Sequence, residues 1–181
     1  MGTHGPRMDA DRRSSTDLPS TRYSCVCDTP GMTDDWADIL FALLDAKARF
    51  LVVGAHAMAV HGVPRATQDL DIWVEPTRDN ASRVWRALAA FGAPVDDLEI
   101  GEADFATRGT VVQIGLPPRR VDLLTGISGV ADFDGAWAGR VEHEIQGCAV
   151  PFLGRATLIA NKRAAARLKD LADIEALGES P

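Results

Sequence analysis

The chain has 181 residues, 46% of them hydrophobic and 25% charged, an ordinary globular composition with enough apolar side chains for one core. Nineteen Lys and Arg stand against twenty-six Asp and Glu, a formal charge of -7, which disfavours a protein that coats nucleic acid through a general basic surface. The longest apolar stretches, such as Phe50 to Val53 and Ala57 to Val60, fall far short of the ~20 residues that span a bilayer, and no membrane partner is expected.

Residues 1–32 are rich in Gly, Pro, Ser, Thr, Arg and Asp and lack apolar periodicity, so the sequence predicts a disordered leader followed by one domain over 33–181. The opening MGTHGPRMDADRR has no apolar signal core, which makes the cytoplasm the expected address, and Met32, just after Pro30-Gly31, is a candidate biological start. Cys25, Cys27 and Cys148 are odd in number and lack zinc-finger spacing, so they read as reduced thiols.

Thr33 or Asp34 can cap a first helix whose Trp36, Ile39, Leu40, Leu43 and Leu44 share one face. Phe50-Leu51-Val52-Val53 reads as a short buried strand ending at Gly54, and Ala55 to His61 as a short helix stopped by Gly62 and Pro64. Asp69 to Glu75 alternates acids with bulky apolar groups. This puts Asp69, Asp71 and Trp73 on one strand face and Leu70, Ile72 and Val74 on the other. A helix from Thr77 or Asp79 carries Ala81, Val84, Trp85, Leu88 and Phe91 as its apolar stripe and ends at Gly92. After an acidic, irregular 93–108, strands at 110–114 and 119–124 flank Gly115-Leu116-Pro117-Pro118. A short helix over 133–138, a hairpin turning near Gln146-Gly147 and one helical region over 157–177 complete an α/β (α+β) pattern: a mixed central sheet flanked by helices, with a helical C-terminal region.

A buried strand normally excludes acids, since an unpartnered ionised carboxylate costs several kcal/mol to desolvate. Asp69 and Asp71, same-face and about 7 Å apart, either lie on a solvated edge or hold hard cations such as Mg2+ together with phosphate. Asp122, inside another strand, would extend such a site to two metals. Gly54 permits close approach of backbone N–H groups to phosphate oxygens.

The stretch GAHAMAVHGVPRATQDLDIWV at 54–74 resembles the nucleotidyltransferase superfamily of DNA polymerase β: a Gly followed by Gly or Ser, a short helix, then Asp-x-Asp on the next strand. Here Gly54-Ala55 is followed by thirteen intervening residues and then Asp69-Leu70-Asp71, and Asp122 in RRVDLL matches the third carboxylate. Across 34–177 the chain is more closely similar to small bacterial nucleotidyltransferases related to the abortive-infection type IV toxins. HGVPRATQDLDIWV, RVDLLT and NKRAAARLKDLADIEAL carry that likeness.

The resemblance implies a minimal nucleotidyltransferase fold in which Asp69, Asp71 and Asp122 are the catalytic, metal-binding carboxylates for two Mg2+ ions, with Mn2+ as a substitute. Gly54, Ala55, His61, Arg65, Thr67, Lys162, Arg167, Lys169 and Asp170 are then the nucleotide-binding candidates, with Asp173 supporting the helix. Ala55 stands where the superfamily usually has Gly or Ser, and Ala166 where relatives often have glycine.

The expected activity moves a nucleoside monophosphate from a nucleoside triphosphate to a hydroxyl of an RNA 3' end, a protein or a small molecule. An RNA end would be gripped by Arg119, Arg120 and the C-terminal basic cluster. The toxin of a toxin-antitoxin or phage-defence system, with a cognate antitoxin or toxin as partner, is the expected setting. The alternative is a non-catalytic nucleotide-binding or regulatory module of the same fold acting through a protein partner.

Overall fold

A computed structural model describes residues 34–95 and 101–180. The expected leader, Cys25, Cys27 and the Thr33 cap lie outside these residues.

The first helix, α1 (Asp34–Asp45), buries Trp36, Ile39, Leu40 and Leu43 as its spacing predicts. β1 (Phe50–Val52) is wholly buried and leads through Val53 into α2 (Gly54–Val60). β2 (Asp69–Val74) follows, then α3 (Arg78–Phe91), where the Thr77 side chain accepts the Asn80 N–H and Gly92, left-handed at φ +85°, closes the helix. A 3-10 turn (Glu102–Ala106) sits in the acidic connection and buries Phe105 edge-on against Trp85. β3 (Val111–Ile114), β4 (Arg120–Leu124), α4 (Phe133–Ala138), β5 (Val141–Ile145) and β6 (Cys148–Phe152) then precede α5 (Arg155–Ala165) and α6 (Leu168–Ala176).

Six strands form one mixed sheet in the order β3-β4-β2-β1-β6-β5. β2 runs parallel to β4 and antiparallel to β1, β1 runs parallel to β6, and β3 and β5 are antiparallel edges. On β2 the alternation resolves cleanly. Leu70, Ile72 and Val74 are fully buried, whereas Asp69 and Asp71 on the opposite face remain partly open. α1 and α3 pack on each other, and Asn80 fastens α3 to the sheet by donating to the Arg49 and Glu75 carbonyls. No helix among the described residues is long and apolar enough to cross a membrane.

The helical region expected over 157–177 consists of two helices, broken where Ala166 turns left-handed at φ +50°. Periodicity alone missed the break because neither Gly nor Pro marks it. Folding α6 back brings Asp170 and Asp173 to Lys162, which a straight helix does not do.

Candidate active site

The register of β2 and β4 sets Asp69 opposite Arg120 and Asp71 opposite Asp122 on one face of the sheet. Arg120 Nη2 donates to Asp69 Oδ2 at 2.6 Å and to Asp122 Oδ2 at 3.1 Å. Its Nε stands 2.9 Å from Asp122 Oδ1 but out of line for a hydrogen bond, so that buried oxygen has no hydrogen-bond partner. Thr67 Oγ1 donates to Asp69 Oδ1 at 2.5 Å. Asp71 takes part in neither ion pair of Arg120. Burial first, then the charges of Asp69 and Asp122, push its carboxyl up to about 6, and the charges of Lys169 and Arg120 offset this only in part.

Gly54 is explained by the same acid. At φ +63° it occupies the left-handed region, and a Cβ placed on it would come within 2.0 Å of Asp71 Oδ2. The glycine expected to let backbone approach phosphate is required first to make room for a carboxylate.

One wall of the site comes from α5 and α6. Lys162, 3% exposed, holds Asp173 Oδ2 at 2.5 Å and Asp170 Oδ1 at 3.4 Å. Arg167 forks onto Asp170 with Nε at 2.6 Å and Nη2 at 3.3 Å, and Arg65 Nε lies 3.6 Å from Asp173. Burial alone would raise the Asp170 carboxyl, but the hydrogen bond and charge of Arg167, together with Lys162, outweigh it and hold the group below its ordinary value. The Arg167 guanidinium is shifted upward, mainly by its hydrogen bond to Asp170, and it also feels the charge of Asp71.

Floor and wall enclose a cleft of about 590 Å³. Gly54, Ala55, Arg65, Thr67, Asp69, Asp71, Asp122, Lys162, Arg167, Lys169 and Asp170 all line it, so residues spread over more than a hundred positions meet in one place. His61 does not line it. Its Nε2 is 2.8 Å from the Leu153 carbonyl oxygen, tying the end of α2 to the residue after β6. Lys162, expected to reach a triphosphate, has its ammonium engaged by two acids. Asp173, expected to support the helix, does so as one of those acids.

Arg119 and Arg120, expected to grip an acceptor, are committed elsewhere. Arg119 pairs with Asp35 at 2.9 Å, and Arg120 lies between the carboxylates. The placement of Arg120 was readable only in part: spacing puts it on the face of Asp122, but its position opposite Asp69 depends on which strands pair.

Among the described residues no group of three or more Asp, Glu, His or Cys has the spacing of a metal site, and Arg120 stands between Asp69 and Asp122. The donor set nonetheless fits a hard divalent cation in kind. Asp71 and Asp122 face each other in register, one buried Asp122 oxygen lacks a hydrogen bond, and the floor holds three acids against one bridging arginine.

No family model matches the chain, and no curated protein matches it. Among solved structures, a crystal structure of a "putative nucleotidyltransferase" from Thermotoga maritima is similar over 78% of this chain and 87% of that one, at 20% identity and a TM-score of 0.48. The chemistry of the cleft therefore rests on its own side chains.

Proposed function

We propose that this chain is a metal-dependent nucleotidyltransferase that moves a nucleoside monophosphate from a nucleoside triphosphate to a hydroxyl and releases pyrophosphate. The observation that carries the reading is the Asp71–Asp122 pair, directly opposed on parallel strands beside Asp69, on a cleft floor where, among the described residues, Arg120 is the one cation paired with these three acids and reaches only two of them. Such a surplus of half-buried acid weakens a fold and is useful where a cation completes it.

Asp69, Asp71 and Asp122 would hold Mg2+ or Mn2+, which when bound supplies charge against the triphosphate oxygens and the developing charge of the leaving group. Lys169 and the exposed Arg167 face the phosphates from the wall. The acceptor hydroxyl oxygen bonds to the α-phosphorus as the bond from that phosphorus to the bridging oxygen breaks, and pyrophosphate leaves with the electron pair. The hydroxyl proton passes to the Asp122 carboxylate. Arg120 holds Asp69 and Asp122 in line.

With Arg119, Arg120 and Lys162 engaged by acids, few cations remain for a long RNA backbone. The acceptor classes left are a short RNA 3' end, a protein hydroxyl or a small molecule. A partner toxin or antitoxin rests on the family resemblance alone. The Arg120 bridge favours a second reading, a regulatory module that binds nucleotide without turnover.

Label transfer separates the two. The full chain with Mg2+, each of the four α-phosphate-labelled triphosphates, and RNA, protein or small-molecule acceptors should label one acceptor class, and Asp71→Asn or Asp122→Asn should abolish it. Metal-dependent nucleotide binding without pyrophosphate release would favour the regulatory module, and absence of nucleotide binding would refute both.

A further inference from the structure

The floor of the cleft changes character along β4. Arg120, Asp122 and Leu124 succeed one another on one face, and the register sets Leu124 against Val111 of β3, about 7 Å beyond the Asp71–Asp122 pair. Val111 is 56% exposed although apolar, and it lines the cleft with Leu124 and with Ile127 from the loop after β4. That loop is fixed against α5. Gly129 at φ +71° packs so closely that a Cβ would come within 2.3 Å of the Ala164 methyl, and Asn161 Nδ2 donates to the Ser128 carbonyl at 2.9 Å. The Asn161 amide oxygen takes no part in that bond and remains an acceptor at the cleft wall.

An apolar shelf held rigidly at the end of a charged cleft, with an amide at its rim, suits a flat ring with a hydrogen-bonding edge. A triphosphate or a metal has no use for Val111, Leu124 or Ile127, whereas a base gains by covering them. We propose that this shelf is a nucleobase subsite, taking the base either of the bound triphosphate or of a nucleotide acceptor, with Asn161 reading the edge. The inference rests on the nucleotidyltransferase reading above and specifies where its substrate's ring lies.

The test is equilibrium binding to the full chain with Mg2+, using inorganic tripolyphosphate, the four nucleoside triphosphates and, on tripolyphosphate-saturated protein, the four nucleosides. Val111→Ser, at an exposed strand position, removes apolar contact without opening the core, and Asn161→Asp changes the hydrogen-bonding edge. If the donor base occupies the shelf, triphosphates bind more tightly than tripolyphosphate, Val111→Ser removes about tenfold of that gain and leaves tripolyphosphate unchanged, and Asn161→Asp reorders the four bases. If an acceptor base occupies it, the triphosphates show no gain, but nucleosides bind the saturated protein and lose affinity in Val111→Ser. Tripolyphosphate binding with no contribution from any base would overturn the subsite and leave the phosphate reading standing. Failure of every phosphate compound to bind would overturn both.

Discussion

The cleft is built from two ionic clusters that differ in their balance. On the wall, Asp170 and Asp173 meet Lys162, Arg167 and Arg65, and each acid has a cation within ion-pair distance. On the floor, Asp69, Asp71 and Asp122 share Arg120, which reaches only two of them, and the third acid is pushed up to about 6. A balanced buried cluster fixes one geometry, here the turn of α6 against α5. An unbalanced one lowers stability and invites a cation or a substrate. The two should therefore respond to substitution with opposite sign.

The largest effect is expected from breaking the balanced cluster. Lys162→Met leaves Asp170 and Asp173 buried without their ammonium, and thermal or urea unfolding should show a loss of about 3–5 kcal/mol. A neutral result would mean that the network is solvated and does not hold α6. Gly54→Ala attacks the floor through sterics. The new methyl meets Asp71 Oδ2 at 2.0 Å in a left-handed backbone, for a loss of about 3 kcal/mol. Adding Asp71→Ala should return part of that loss, since it removes the clashing carboxylate and leaves only the backbone strain. If the double variant is no more stable than Gly54→Ala, the contact is not what demands glycine.

Asp71→Asn should stabilise the fold, opposite in sign to Lys162→Met. A carboxyl raised from 3.8 to about 6 in the folded state is deprotonated more readily in the unfolded chain. Its penalty is absent below pH 4, grows as pH rises toward 6, and is complete above it. After screening of this partly open group the penalty is about 2 kcal/mol. Urea unfolding of wild type from pH 4.5 to 7.5 should show that decline, and Asp71→Asn should flatten it. Equal slopes in the two proteins would remove Asp71 from the surplus.

Much of this comparison is legible in the sequence. The alternation over 69–74 put two acids on one face, Thr77 and Gly92 bounded α3, and the strand pair around residues 115–118 placed Asp122 within a strand. These features are local, with period two or 3.6, and the sequence carries them directly. What stayed hidden depends on partners distant in sequence. Arg120 reads as a grip for an RNA end until β2 is known to lie beside β4. A basic Lys162 reads as a phosphate ligand until α6 folds back with two acids, and His61 reads as a site residue until Leu153 is found to receive it. The apolar shelf was missed for a similar reason, since Val111 in an alternating strand looks like an ordinary outward residue until Leu124 and Ile127 are found to line the same cleft.

The smallest predicted effect lies at the joint that creates the balanced cluster. Ala166 takes φ +50°, where an L-residue with a Cβ is strained by about 1–2 kcal/mol. Glycine relieves that strain but frees the unfolded chain by about 0.5–1 kcal/mol. The net for Ala166→Gly is a gain of about 0.5 kcal/mol, or roughly 1–2 °C in Tm for a chain of this size. Ala160→Gly, at an exposed position inside α5, has no strain to relieve and should lose about 1 kcal/mol. The pair of melts thus reads the backbone at the joint directly. If both variants are destabilised alike, residue 166 is helical in solution, α5 runs on into α6, and Lys162 cannot hold Asp170 and Asp173 together, which would dissolve the contrast between wall and floor.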